Sequence, residues 1–477
     1  MLSLVPTWLV VVACAAATGA ATSVRPVYGA VTAVAIAVLL VGLARPTAIA
    51  YALVALAPIT PGLRRGLVVP NLRISEILIA GSAALVITTA GRTAHGRWRA
   101  LDGFAALYVA LTLGLGLITA TLYGHSLSTD NINKLLGPVQ FFLLYRTVRL
   151  ALPQPEQRSR ALSVLLLSSA PVALITVLQQ FNIGPTRGWI IALTASVTAP
   201  GSGASGIIRA TGPFAHYHSL AGYLVVIILL AVALLFTPDQ TVLRRRLLVP
   251  LTAAAGIALV CTATLVTLAA GMVGVLILAI RARQPFKLLL LLGGVSLAGL
   301  TGIGPNLSRR VSGQLEGKLP TYTLKATQSW LPPNVAFRVQ VWRDQYLPVV
   351  NQHLLLGYGP GVPASVTWDS TESLYITLLM RGGVPLLLAF IGLVIAIWMA
   401  ARAAERSPES QDRALGMTLT TVVIVMTFMH LIHPYFTDAG FPHALWILLA
   451  LLPSRVRSRG RAGAQLLVPA TRDEIRA

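Results

Sequence analysis

His218-Ser-Leu-Ala-Gly-Tyr-Leu-Val-Val-Ile-Ile-Leu-Leu-Ala-Val-Ala-Leu-Leu-Phe236 is a run of 19 residues without a single Lys, Arg, Asp or Glu. Coiled as an α-helix it is about 28 Å long, enough to cross a hydrocarbon core of ~30 Å. Working outward from it, similar stretches recur at about 5–22, 27–44, 46–61, 74–90, 104–122, 135–149 and 161–181 on the N-terminal side. They continue at 248–265, 268–281, 286–303, 373–401, 415–432 and 441–453 on the other. With 55% hydrophobic and 11% charged residues, and a mean hydropathy of +0.75, a soluble globular class is excluded. The expected fold is all-α, a polytopic transmembrane bundle of 12–14 helices with a large outer loop late in the chain. The range reflects the pairs around 27–61 and 248–281, which read either as separate crossings or as broken, re-entrant segments. The first stretch lacks a positive n-region and reads as a helix rather than a signal peptide. Cys14 and Cys261 are too far apart in sequence to suggest a disulfide framework or a metal-binding pattern.

Arginine placement orients the spans. Clusters at Arg92–Arg99, Arg146–Arg160, Arg244–Arg246, Arg281–Lys287, Arg402–Arg413 and Arg455–Arg461 occupy every second loop, the pattern of cytoplasmic loops. Both termini are then cytoplasmic, and the loops at 62–73, 123–134, 182–217, 304–372 and 433–440 lie outside. The chain divides into transmembrane helices with one longer outer loop (1–303), a large outer loop (304–372), C-terminal transmembrane helices (373–453) and a basic cytoplasmic tail (454–477). A net charge of +22 is accounted for mostly by this topology, so nucleic acid is not an expected partner.

The topology rule leaves a remainder on the outer side: Arg64, Arg65, Arg73, Arg187, Arg209, Arg309, Arg310, Lys318, Lys325, Arg338 and Arg343. Such a surface suits an anionic ligand, phosphate above all; contact with lipid phosphates or neighbouring acids is the competing explanation. After Pro332-Pro333, Asn334 reads as the N-cap of an amphipathic helix that places Arg338, Trp342 and Gln345 on one face. The turn Gly357-Tyr-Gly-Pro-Gly361 reads as either an ordinary loop or a place where backbone approaches a ligand. Glu372 stands at the mouth of a long apolar helix. Partial removal from water there suits a carboxylate to general-base work, although an acid complementing the helix dipole fits equally. His216 and His218 read as acceptor or phosphate contacts or as helix-end packing, with metal ligation the weakest of the three. His430, His433 and His443 flank the last outer loop together with Asp438, where interfacial anchoring and a place in a cavity wall both fit.

Several of these segments resemble the O-antigen ligase and polymerase family. They are the Arg338-x-x-x-Trp342 helix, His353-Leu-Leu-Leu-Gly-Tyr-Gly-Pro-Gly361, Glu372-Ser-Leu-Tyr-Ile-Thr-Leu-Leu-Met-Arg-Gly-Gly-Val-Pro385 and, upstream, Arg209-Ala-Thr-Gly-Pro-Phe-Ala-His-Tyr-His-Ser-Leu-Ala-Gly-Tyr-Leu224. The resemblance implies a glycosyltransferase of the bacterial cytoplasmic membrane that needs no metal or cofactor. Its donor is a glycan on a polyprenyl diphosphate and its acceptor is the hydroxyl of a glycan or glycolipid, with membrane lipid around it. Carried over residue by residue, Arg209 and Arg338 bind the diphosphate, and Glu372 occupies the position of the ligase branch's histidine base. His218 replaces that family's usual Asn. Both departures lean away from a lipopolysaccharide ligase and toward polymerases and ligases of other surface glycans. His216, His218, Trp342, Tyr375, Arg64 and Arg73 complete the expected substrate contacts. The alternative is a polytopic transporter or lipid-linked glycan flippase, but the chain shows no convincing internal repeat and its mid-span stretches are almost free of Asp, Glu and Lys.

Overall fold

The structure is a computed structural model that describes residues 45–67, 72–90, 98–126, 128–194, 209–284, 304–315, 332–437 and 440–453. The expected spans at 5–22, 27–44 and 286–303 lie outside the described residues, as do Cys14, Lys318, Lys325, Asp438 and the tail 454–477. Helices α1 (Pro46–Leu56), α2 (Ile74–Ala90), α3 (Ala100–Leu122), α4 (Thr129–Ala151), α5 (Pro155–Gln180) and the short α6 (Thr186–Leu193) come first. Next are α7 (Tyr217–Phe236), α8 (Arg245–Cys261), α9 (Leu265–Arg281) and α10 (Gly304–Leu315). The chain continues through α11 (Pro333–Val341), α12 (Leu347–Gln352), α13 (Leu374–Glu405), α14 (Ser410–Met429) and α15 (Phe441–Ala450). Among the described residues there is no strand, only one isolated bridge between Leu63 and Thr194. The chain is thus an all-α polytopic helical bundle.

Among the described residues five helices, α3, α5, α7, α13 and α14, are long and apolar enough to cross a membrane. On α3 and α13 the side chains of Leu117, Ile118, Leu388, Ile395 and Met399 are exposed, where a water-soluble surface would carry charge. The protein is membrane-embedded. α7, apolar on every side, is the axial helix: 94% of its 18-residue apolar core is buried, as expected for a helix without a polar face. It packs against α8, α9, α14 and α15. The pair α8 and α9 forms two antiparallel segments joined at Thr262–Thr264, with Ala263 at φ +48° making the turn.

Loops gather in two sets at opposite ends of the helices. At one end, Arg64 joins 57–67 to the end of α6, His125 Nε2 meets the Tyr358 carbonyl at 2.9 Å, and Lys134 Nζ donates to the Pro360 carbonyl at 3.3 Å. At the other end, Arg158 reaches the Leu451 carbonyl, Ser410 the Asp239 carbonyl, and Arg281 the Glu405 carboxylate at 2.5 Å. Each of these contacts joins segments that arginine placement had put on the same side.

A buried carboxylate ties the second end together. Asp102 is fully buried in the first turn of α3 and accepts from the Tyr145 hydroxyl at 2.8 Å, Arg146 at 3.1 Å, Arg149 at 3.3 Å and the Arg99 backbone N–H at 2.8 Å. Burial, and then the neighbouring Arg149, lower the Arg99 guanidinium to about 10. Removing the one anion strands these cations, a change that costs about 3–5 kcal/mol at buried pairs. Asp102→Ala is expected to lower the thermal midpoint of detergent-purified protein by several degrees, and Asp102→Asn by less. An unchanged midpoint in both would show the pair to be screened by water.

Candidate active site

The site is built on a break in α13. Gly382 and Gly383 depart from helical geometry, Gly383 at φ +63° and ψ −161°, and Pro385 opens the next helical turn. That combination is open essentially to glycine alone. Into the gap docks the Gly357–Gly361 turn. Tyr358 and Gly359 donate to the Met380 carbonyl at 2.7 and 3.0 Å, and Val384 donates to the Leu354 carbonyl at 2.7 Å. A Cβ on Gly357 would lie 2.5 Å from the Gly382 nitrogen. The close backbone approach expected of this turn is therefore made to α13, and the stretch 373–401, expected as one continuous helix, is two helical pieces with this joint between them.

α11 begins at Pro333 with Pro332 at the cap position, so Asn334 is not the N-cap. Pro332 supplies the extended entry, and the Asn334 side chain instead accepts from Arg338 Nη1 at 2.8 Å. α11 runs into a π-helical turn at Trp342–Tyr346, a local widening often found at functional sites. The expected common face is present, and it grips residues 367–372. Arg338 Nε and Nη2 donate to Glu372 Oε2 at 3.3 and 3.1 Å, and Trp342 Nε1 donates to the Thr371 carbonyl at 2.7 Å. Gln345 Oε1 accepts from the Thr367 and Trp368 backbone N–H groups at 3.0 and 3.1 Å.

Glu372 is thereby presented outside α13, not as its first-turn acid. Its φ is +51°, a left-handed conformation that costs a β-carbon-bearing residue roughly 1–2 kcal/mol. The chain is pinned on both sides: Thr371 by Trp342, and Leu374, two residues on, through a 2.8 Å bond to the His430 carbonyl. The Arg338–Glu372 ion pair is enclosed, each side chain only 15% exposed. Both guanidinium contacts go to Oε2, which leaves Oε1 as the proton-accepting edge, with no hydrogen bond to it among the described residues. The segment 369–371 also walls a polar cavity of about 220 Å³, shared with Lys134, Arg381 and Thr437. Burial, then Asp369 and Glu372, push the Tyr346 phenol upward, keeping it a donor to the Trp368 carbonyl.

Arg209 stands eight residues before the start of the axial helix. Its guanidinium carbon lies 3.2 Å from the centre of the Tyr217 ring, with contacts to the Thr262 carbonyl at 3.3 Å and Thr264 Oγ1 at 3.2 Å. On the residue after Tyr217, the His218 ring stacks on His433 with centroids 4.2 Å apart, and Nδ1 lies 3.4 Å from the Tyr435 hydroxyl. The start of α7 therefore gathers Arg209, Tyr217, His218, His433 and Tyr435, while Arg338 and Glu372 pair in the segment that leads into α13.

The remaining candidates sit differently. Tyr375 donates to the Thr427 carbonyl at 2.9 Å and ties α13 to α14. Arg64 donates to the carbonyls of Ile191 and Thr194, both at 2.8 Å, holding the end of α6. Arg73 lines a separate cavity between α2, α4 and α13. Sequence reasoning gave too little weight to His433 and passed over Tyr217. An aromatic eight residues after Arg209, at the start of an uncharged span, was the available signal for Tyr217. No protein-family model matches the chain, and no curated protein matches it.

Proposed function

We propose that the protein is a glycosyltransferase of the O-antigen ligase and polymerase type, which moves a glycan from a polyprenyl diphosphate to an acceptor hydroxyl on the outer face of a bacterial cytoplasmic membrane. The observation that carries the reading is the enclosed Arg338–Glu372 pair, a guanidinium fork held on a carboxylate in the segment that leads into α13. The acceptor oxygen attacks the anomeric carbon and the glycosyl–phosphate bond breaks. Its electron pair passes to the diphosphate, which leaves on the lipid, and the configuration inverts. The acceptor proton goes to Glu372 Oε1. Negative charge grows on the leaving diphosphate, so fixed guanidinium groups stabilise the transition state more than the ground state. In the resting protein Glu372 holds the Arg338 fork; arrival of the donor draws the guanidinium onto phosphate and releases the carboxylate for its proton.

The direct test is transfer by purified protein in liposomes from a lipid-linked oligosaccharide to an acceptor glycan. Donor movement across the bilayer without transfer would replace this reading by that of a flippase. Orientation has its own measurement. Ser312 and Ser365 are exposed in the loop preceding α13, and cysteines placed there are expected to react with an impermeant thiol reagent in intact cells. Labelling only after lysis would put the site on the cytoplasmic side and overturn the proposed donor.

A further inference from the structure

Between α12 and Gly357 the chain carries consecutive leucines, Leu354, Leu355 and Leu356, and all of them are exposed, Leu355 by 75%. Asn351 and Gln352, just before them, are exposed as well. One exposed leucine is ordinary. A run of them at a turn is not, because water-facing turns are built from Gly, Asn, Asp and Ser, and a contiguous exposed apolar run marks a surface that meets something apolar.

The turn is fastened at a definite height. The Leu354 carbonyl accepts from the Val384 N–H at 2.7 Å. A Cβ on Gly383 would lie 2.4 Å from the Leu354 oxygen and 2.8 Å from the Leu355 carbonyl carbon, so the turn rests directly on the joint in α13. On its other side the His353 ring meets the ring of Tyr123, the residue after α3, at 4.9 Å, and Tyr123 also stacks on Tyr358 at 5.9 Å with the planes 9° apart. A hydrocarbon core of ~30 Å takes about 20 helical residues. Counted from Glu405, which pairs with Arg281 and Arg402 at the far end of α13, that length ends at Pro385. Counted from Asp102, which pairs with Arg146 and Arg149 at the far end of α3, it ends at Leu122. Two helices put the edge of the hydrocarbon at the points to which the leucine turn is attached. Leu122, Val384 and Leu388, the exposed apolar side chains at or near those points, belong to helices long and apolar enough to span the membrane.

We propose that Leu354–Leu356 is a wedge inserted into the bilayer, with the acyl chains of phospholipids as its partner, within a loop that hydropathy alone places outside the membrane. Tyr123, His353 and Tyr358 each present an apolar ring with a polar atom, the kind of side chain that collects at headgroup level; Asn351 and Gln352 stay in water. Continuity with the lipid-facing sides of α3 and α13 makes lipid the occupant rather than another protein. α12 leads straight into the wedge, and Phe337, Val341, Val349, Val350 and Met380 form one buried cluster that joins α11 and α12 to the first piece of α13. The wedge thereby holds the arm that carries Arg338 against the headgroup layer. The assignment does not require that the chain transfer glycans.

The test uses the full-length protein in nanodiscs of phosphatidylethanolamine and phosphatidylglycerol, with Cys14→Ser and Cys261→Ala as background and a nitroxide attached at Leu355→Cys. Collisions of the nitroxide with oxygen, which concentrates in the bilayer, are compared with collisions with a water-soluble nickel chelate. Leu117→Cys, on the exposed face of α3, supplies the lipid reference, and Ser365→Cys, exposed later in the same loop, supplies the water reference. The label at 355 is expected to favour oxygen, as the one at 117 does, and to lose most of the chelate collisions seen at 365. Chelate access equal to that at 365 would put the turn in water and overturn the proposal. Access to neither reagent would mean that a second copy or another protein segment covers the leucines, and would overturn it equally. Should the 355 variant fail to fold, the same comparison at Leu356→Cys decides, with the same outcomes.

Discussion

Replacing Glu372 by Gln should lower glycosyl transfer about 10²- to 10⁴-fold, the usual contribution of a general base, while donor affinity holds or rises. Glutamine keeps the side-chain shape, and its carbonyl can still accept from Arg338. What disappears is the proton acceptor at Oε1 and the carboxylate that competes with a diphosphate for the Arg338 fork. A purely structural role predicts something else, since the pair with Arg338 is enclosed and weakening it would then show as lost stability and lost donor affinity with turnover of the bound donor intact. Single-turnover transfer measured beside donor binding separates the two. Glu372→Asn is a useful companion, because asparagine tolerates φ near +51° better than most residues and keeps the strained bend while withdrawing the proton acceptor. Near-normal transfer by the Gln variant would end the assignment of Glu372 as the base. Glu372→His, which installs the ligase-branch residue, is expected to restore part of the activity.

The spans were legible because the membrane reads only length and hydropathy. The expected 74–90 is α2, and 218–236 differs from α7 by one residue. The common face of Arg338, Trp342 and Gln345 was legible for a related reason, since a helical repeat is a local property. The joint in α13 was not. Gly382-Gly383 follows Arg381 inside a long apolar stretch, and its meaning depends on a second glycine turn 25 residues earlier that needs the same close approach. Each stretch, read alone, suggested a different use: one a helix interior, the other a ligand loop. Pairings at long sequence separation were out of reach for the same reason. His218 and His433 stack at 4.2 Å across more than 200 residues, and nothing local to either histidine announces the other. Asn334 shows a local signal misread: an Asn at a helix start is a common cap, but here a proline precedes the first turn and the amide is turned to Arg338.

Arg338→Lys should reduce transfer by roughly 10²- to 10³-fold, the scale of losing one preorganised donor at a developing oxyanion, although it conserves charge. The guanidinium presently uses three nitrogens at once, Nη1 to Asn334 and Nε with Nη2 to Glu372. A lysine ammonium is a single point of charge on a flexible stem. It can stay with Glu372 or with Asn334, but it cannot bridge both and still present a fork to two diphosphate oxygens. The protein should fold, since the substituted ammonium still gives the carboxylate one partner; Arg338→Ala, which strands Glu372 in an enclosed site, should lose stability as well as activity. Arg209→Lys is expected to be milder in stability than in turnover, because the Tyr217 ring at 3.2 Å can receive an ammonium through the same cation–π attraction. The decisive measurement is the double variant Arg338→Lys with Glu372→Gln. If the two residues act on one transition state, its transfer rate falls little below that of the weaker single variant, as groups working as a unit are strongly non-additive. Losses that multiply across the pair would mean that the ion pair merely braces the loop and that the chemistry is carried by other groups around His218.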